Sequence, residues 1–145
     1  MNGAMIYKDT ANQNIAHNVH AFVTFNRIVY DTAGFFDILC PTRIIVPSGA
    51  SKVIMKAQII FAGNPHGMRQ LVIKKNFSPG GGWYPGVPAQ TMVANERTTT
   101  DVQVFTCPIP VVAGDFFELE AFQTSGGNLD ILASVGSWFS IEVVE

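Results

Sequence analysis

The sequence predicts an all-β, antiparallel protein built as a sandwich or jelly roll. Val, Ile, Thr and Phe dominate its regular stretches, and Gly, Pro, Asn and Asp interrupt them at short intervals. No segment has the length and period of a long helix. The stretch Val112–Glu145 alone holds two turns and three strands, which only an antiparallel arrangement accommodates.

Strands are expected in order along the whole chain. Met5–Lys8 is the first, followed by His20–Asn26 and Ile28–Tyr30. Arg43–Val46 runs into the Pro47-Ser-Gly49 turn. Lys52–Phe61 is the longest, and Arg69–Lys75 follows the turn at Asn64-Pro-His-Gly67. Thr99–Thr106 comes after the only long connection. The Ala113-Gly114-Asp115 turn opens Phe116–Gln123, and Ser125-Gly126-Gly127-Asn128 reverses it, because glycine reaches positive φ without a Cβ clash. Leu129–Ala133 and Trp138–Val144 close the set. About ten short strands in 145 residues fit a single domain, 1–145.

Two of these strands are apolar on both faces. In Lys52–Phe61, Val53, Met55, Ala57, Ile59 and Phe61 share one face, while Ile54 and Ile60 join Lys56 and Gln58 on the other. In Phe116–Gln123, Phe117, Leu119 and Ala121 point one way, and Phe116 and Phe122 flank Glu118 and Glu120 on the opposite side. A second apolar face must be covered, by a loop of the same chain or by another subunit. Composition favours the subunit. The chain is 48% hydrophobic and only 14% charged, against about 25% charged in an average domain. Met55, Phe61, Phe116 and Phe122 are the expected interface residues.

Charge and leader signals narrow the function classes. A net charge of −2 with scattered Lys and Arg gives no electrostatic footprint for nucleic acid. The first ten residues lack a basic segment followed by an apolar core, so a secretory signal is not expected, and no apolar run approaches the ~20 residues that span a bilayer. Cys40 and Cys107 each precede a proline and are expected as reduced, buried thiols acting as small hydrophobes.

No catalytic motif is recognisable. Glu118 and Glu120 share a strand face at ~6.5–7 Å, which overlaps the carboxylate spacing of inverting glycosidases, but a flat strand offers neither a cleft nor a means of raising one pKa. His17 and His20 stand three residues apart, which on a strand sends them to opposite faces, with no third ligand near in sequence. The expectation is solvated histidines, no metal and no cofactor. His66 reads as a turn residue, and Arg69 and Arg97 as solvated or interface-paired. The long connection 76–96 contains Phe77-Ser-Pro-Gly-Gly-Gly-Trp-Tyr-Pro-Gly86, which cannot be a central strand. A loop of this length usually carries function, and its Trp83 and Tyr84 are the expected ligand-binding pair, with packing onto their own domain as the alternative.

In order and spacing, several segments resemble the trimeric jelly roll of complement q-type globular heads and tumour necrosis factor-like proteins, in the version found at the ends of bacteriophage fibres and spikes. These are Phe25-Asn26 leading to Val29-Tyr-Asp-Thr-Ala-Gly-Phe35, Arg43-Ile-Ile-Val-Pro-Ser-Gly49, Ile59–Lys75, the Ala113-Gly-Asp115 turn, Glu118–Gly127, and Trp138-Phe-Ser-Ile141. The resemblance spans about Met5 to Val144. Where many relatives carry Tyr after the Pro47-Ser-Gly49 turn, this chain has Val53, and it contains no Gly-X-Y repeat. The resemblance implies a homotrimer on a phage or phage-like virion, assembled in the bacterial cytoplasm. There it would be anchored by another particle protein and bind a bacterial surface glycan or receptor without catalysis. A capsid-decorating or spike subunit with no ligand, and a cellular surface protein of the same fold, are the alternatives.

Overall fold

A computed structural model describes residues 2–76, 89–93 and 98–144, and every regular element among them is a strand. In chain order these are β1 (Gly3–Lys8), β2 (Gln13–Ile15), β3 (Ala21–Phe22), β4 (Arg27–Asp31), β5 (Arg43–Ile45), β6 (Lys52–Phe61) and β7 (Met68–Lys75). They continue with β8 (Ala89–Val93), β9 (Thr100–Phe105), β10 (Ile109–Pro110), β11 (Phe116–Gln123), β12 (Leu129–Ile131) and β13 (Ser134–Val143).

The strands form two sheets. The first runs β2-β12-β6-β13-β1-β4, with β9 and β10 also hydrogen-bonded to β6. Lys56 faces both Ser140 and Phe105, so β6 lies between β13 and β9. The second runs β3-β11-β7-β8, with β5 also on β11. All pairings are antiparallel.

Period-two alternation decides what lies between the sheets. From the first come Ala4, Ile6, Val53, Met55, Ala57, Ile59, Phe61, Val102, Val104, Phe139 and Ile141. From the second come Ile44, Leu71, Ile73, Phe117, Leu119 and Ala121. All are buried in one continuous core. Burying a side chain of this size is worth roughly 1.5–3 kcal/mol, so the core is the main source of stability. Met55 and Phe61 are completely buried here. The expectation that they form a subunit interface is therefore corrected: they point inward, and their own chain already covers them.

The element boundaries show what the local pattern misses. β6 and β11 run as expected, while β2 and β10 are too short to leave a periodic signal. His20–Asn26 is extended but forms a ladder only at Ala21–Phe22, because it crosses between sheets. The Val23 amide reaches Leu119 O in the second sheet, and the Asn26 amide reaches Tyr7 O in the first. The connection 76–96 is not structureless either. Ala89–Val93 pairs with Met68–Val72 as an edge strand, a pairing obscured in sequence by the nearby Pro85 and Pro88.

Three polar expectations change as well. Cys40 and Cys107 are unpaired but exposed, so they are not core hydrophobes. Arg69 is completely buried, not solvated. Its guanidinium donates to the carbonyls of Asn64, His66 and Met68, and burial lowers its pKa. Among the described residues, backbone carbonyls and no carboxylate hold that charge in place. Arg97 lies outside the described residues.

The Ala113-Gly114-Asp115 turn is tied down by its acid. Asp115 accepts from Asn76 Nδ2 at 2.6 Å and from the Val112 amide at 3.0 Å, and it pairs with Lys75 Nζ at 2.9 Å. Burial by itself would push its carboxyl up, but these hydrogen bonds and the Lys75 charge outweigh it and hold the pKa below the usual 3.8. A depressed folded pKa contributes stability that is present above 3.8 and lost as pH falls through the lower, folded value. Asp115→Asn should therefore cost about 2 kcal/mol at pH 7, where it removes the charge facing Lys75, whose ammonium keeps its bond to Pro110 O. The two proteins should converge in acid below about pH 4. Denaturant titrations across that range check this, and a difference that persists undiminished would contradict it.

Candidate binding surfaces

The outer face of the first sheet is built from the strand positions that alternate away from the core. Register places Ile54, Lys56, Gln58 and Ile60 of β6 beside Glu142, Ser140 and Trp138 of β13 on one side, and beside Phe105, Gln103 and Asp101 of β9 on the other. β1 adds Met5 and Tyr7 opposite Ser140 and Trp138, and β4 adds Tyr30 opposite Met5. The face therefore gathers Met5, Tyr7, Tyr30, Ile54, Ile60, Phe105 and Trp138 around few charges. Phe105 is 68% exposed.

A polar line crosses this face. Gln58 Nε2 donates to Gly136 O at 2.8 Å, and Gln103 Nε2 donates to Gln58 Oε1 at 2.6 Å. Tyr30 sits near enough to Glu142 to respond to it. Burial first, and then the Glu142 charge, pushes its phenol above the ordinary value. Gly136 lies against the Ile60 side chain, so no larger residue fits there without displacing it.

The outer face of the second sheet is covered differently. Phe122 stacks on His20 with ring centroids 4.4 Å apart, and Arg43 lies 4.1 Å above the Phe116 ring. Glu120 pairs with His20 at 2.9 Å and approaches Lys74 at 3.9 Å. Glu118 accepts from Thr42 at 2.6 Å and lies 3.5 Å from Arg43. Both carboxylates are buried, each with cations of its own chain beside it. The apolar second face of β11 is thus covered largely by its own chain, and the half-buried Phe116 and Phe122 have less surface left to offer another subunit.

His17 and His20 are both exposed, in line with solvated histidines, and each also has a partner on its own chain. His17 Nδ1 accepts from the Gly126 amide at 3.0 Å, and His20 makes the contacts just described. Trp83 and Tyr84, with the rest of Phe77–Pro88, lie outside the described residues. Sequence reading missed the outward set Tyr7, Tyr30, Ile60, Phe105 and Trp138 as one surface. Its signal was present in the alternation of Lys52–Phe61, once the more apolar face is assigned to the core.

Among sequences, no family model and no curated protein matches the chain. Solved structures do. Murine APRIL at pH 5.0 superimposes with a TM-score of 0.68 at 9% identity, over 99% of this chain and 98% of that one. Its pH 8.0 structure gives 0.64 at 9% identity, over 99% and 98%. An Eiger TNF from S. frugiperda gives 0.60 at 13% identity, over 99% and 92%. At such identities the likeness speaks for the fold alone. The chain is an all-β sandwich with the tumour necrosis factor-like jelly-roll fold.

Proposed function

We propose that this chain is a non-catalytic binding module that assembles as a homotrimer through the outer face of its first sheet. The observation that carries this reading is the sheet face itself. Seven large apolar or aromatic side chains, from Met5 to Trp138, stand on it with few charges, and Phe105 is left mostly in solvent. Monomeric proteins rarely leave such a face open, and a closed cyclic assembly covers it once per subunit. Residues 3–8 are committed to this sheet as β1, so any anchor to a larger body attaches outside them.

Within that reading, we place the module on a phage or phage-like particle, where three copies multiply a weak contact with a bacterial surface glycan or receptor. Support comes from the resemblance of Ile59–Lys75 and the C-terminal strands to fibre and spike heads. Trp83 and Tyr84 would be its contact residues, because flat aromatic faces suit sugar rings. Replacing both with Ala should lower binding of labelled protein to host bacteria at least about tenfold, the scale of an aromatic hot spot. Sedimentation and melting should stay unchanged. Normal binding by that variant would remove the loop from the contact surface. The fold shared with APRIL and Eiger favours a second reading, a cellular protein-binding ligand. Labelled protein that binds animal cells and no bacterium would support the second reading over the first.

A further inference from the structure

A cleft of about 390 Å³ opens where the end of β1 meets β2 and the crossing segment Thr24–Asn26. Its wall includes Lys8, Asp9, Asn12, Gln13, Asn14 and Thr24. Lys8 is the unusual member, since it is only 4% exposed. Its ammonium donates a single hydrogen bond, to Thr24 Oγ1 at 2.9 Å, and that hydroxyl in turn reaches Gln13 Oε1 at 3.2 Å.

No carboxylate among the described residues pairs with it. The acids nearby are already committed. Asp9 binds Arg27 at 2.9 Å, and Asp130 accepts from Asn14 at 2.9 Å and Asn12 at 3.4 Å. A lysine has three N–H donors, so two remain for whatever occupies the cleft. Burial lowers the Lys8 pKa with nothing to offset it. A buried cation without a counter-charge is costly, and the cleft gives a counter-charge room to enter.

We propose that this cleft binds a small carboxylate-bearing ligand of monosaccharide size, an acidic sugar. The volume is within the range of small-molecule sites. The ligand carboxylate would take the free Lys8 donors in a charge-assisted hydrogen bond, which is shorter and stronger than a neutral one. Asn14 spends its amide N–H on Asp130 and keeps its carbonyl oxygen for a ligand hydroxyl. The described lining comes from residues 8–14 and 24–26 of one chain, so the test of this site is separate from the tests of the trimer and of Trp83 and Tyr84.

Sodium glucuronate is the probe, with glucose as its neutral counterpart. In ¹⁵N-labelled protein, glucuronate should give saturable shifts at Lys8, Asn14 and Thr24, and glucose should bind at least about tenfold more weakly, the scale of one ionic hydrogen bond. Lys8→Met should abolish the difference between the two sugars. Equal binding of both sugars by the wild type, shifts confined to another surface, or no saturation with glucuronate would each overturn the proposal. Should Lys8→Met fail to fold, wild-type protein with ¹³C-methylated lysines decides. Glucuronate, but not glucose, should move the Lys8 methyl resonance, and a resonance that stays still rejects the site.

Discussion

Phe105→Asp should convert the proposed trimer to folded monomers. Phe105 ends β9 opposite Lys56, on the outward side of the first sheet, and is 68% exposed in the single chain. Its replacement takes nothing from the core, so the isolated subunit should keep its secondary structure. Between subunits the outcome reverses. A carboxylate set among the apolar side chains of another copy would lose its water, and Lys56 across the strand would offset only part of that loss. Removing a buried aromatic anchor costs ≥ ~2 kcal/mol, and desolvating the new carboxylate together with Lys56 adds to that cost. Together these shift the association constant by several powers of ten. Sedimentation at micromolar concentration reads the assembly, and circular dichroism reads the fold. A variant that still sediments with the wild-type trimer would show that Phe105 lies outside the interface. A wild type that sediments as a monomer would reject the trimer itself.

Gly67→Ala should be among the most damaging single substitutions in the fold. Gly67 leads into β7 with φ at +72°, a region where a Cβ is strained. Space is lacking as well. An added Cβ would overlap the Thr124 carbonyl and come within 2.6 Å of its Oγ1. Thr124 cannot yield freely, because its hydroxyl accepts from the Met68 amide at 2.9 Å and its own amide donates to Met68 O at 3.1 Å. The same turn supplies the Asn64 and His66 carbonyls that hold the buried Arg69 guanidinium. The strained φ costs about 1 kcal/mol, and with the overlap the total should exceed about 3 kcal/mol. For a domain of this size that lowers the melting temperature by roughly 10 °C. An unchanged melting curve would show that the β7–β11 junction is looser than its hydrogen bonds imply.

Legibility of the fold follows the length of each periodic signal. Lys52–Phe61 and Phe116–Gln123 are long enough for alternation to set both ends, and they proved to be β6 and β11. Gln13–Ile15 and Ile109–Pro110 hold two or three residues each, fewer than one full alternation, and are strands only because β12 and β6 supply their partners. The site was harder to read for a related reason. A strand that is apolar on both faces does not say which face meets the core, and Met55 and Phe61 were assigned outward on that ambiguity. Pairing with β13 resolves it, because Phe139 and Ile141 share their face and Trp138 and Glu142 share the other. Arg69 illustrates a different limit. Its partners are backbone carbonyls, and no sequence pattern marks a carbonyl as free to receive a cation.

The position of β13 has a consequence for how the molecule is made. This last strand lies between β1, the first, and β6, so it is an inner member of its sheet. While a ribosome is still adding Ser134–Val143, β1 has no neighbour on that side, and the inner faces of Ala4, Ile6, Met55 and Ala57 lack Phe139 and Ile141 across from them. β7 and β11 can pair earlier, since both have already been synthesised. The nascent chain must therefore hold a half-built sheet, with an open slot, until Ser134–Val143 emerges from the exit tunnel. Closure of the first sheet is a late event, set by translation and by the slow formation of contacts distant in sequence. A ribosome that stalls while Ser134–Val143 is still in the tunnel would leave a chain with an open strand slot in place of a nearly finished domain.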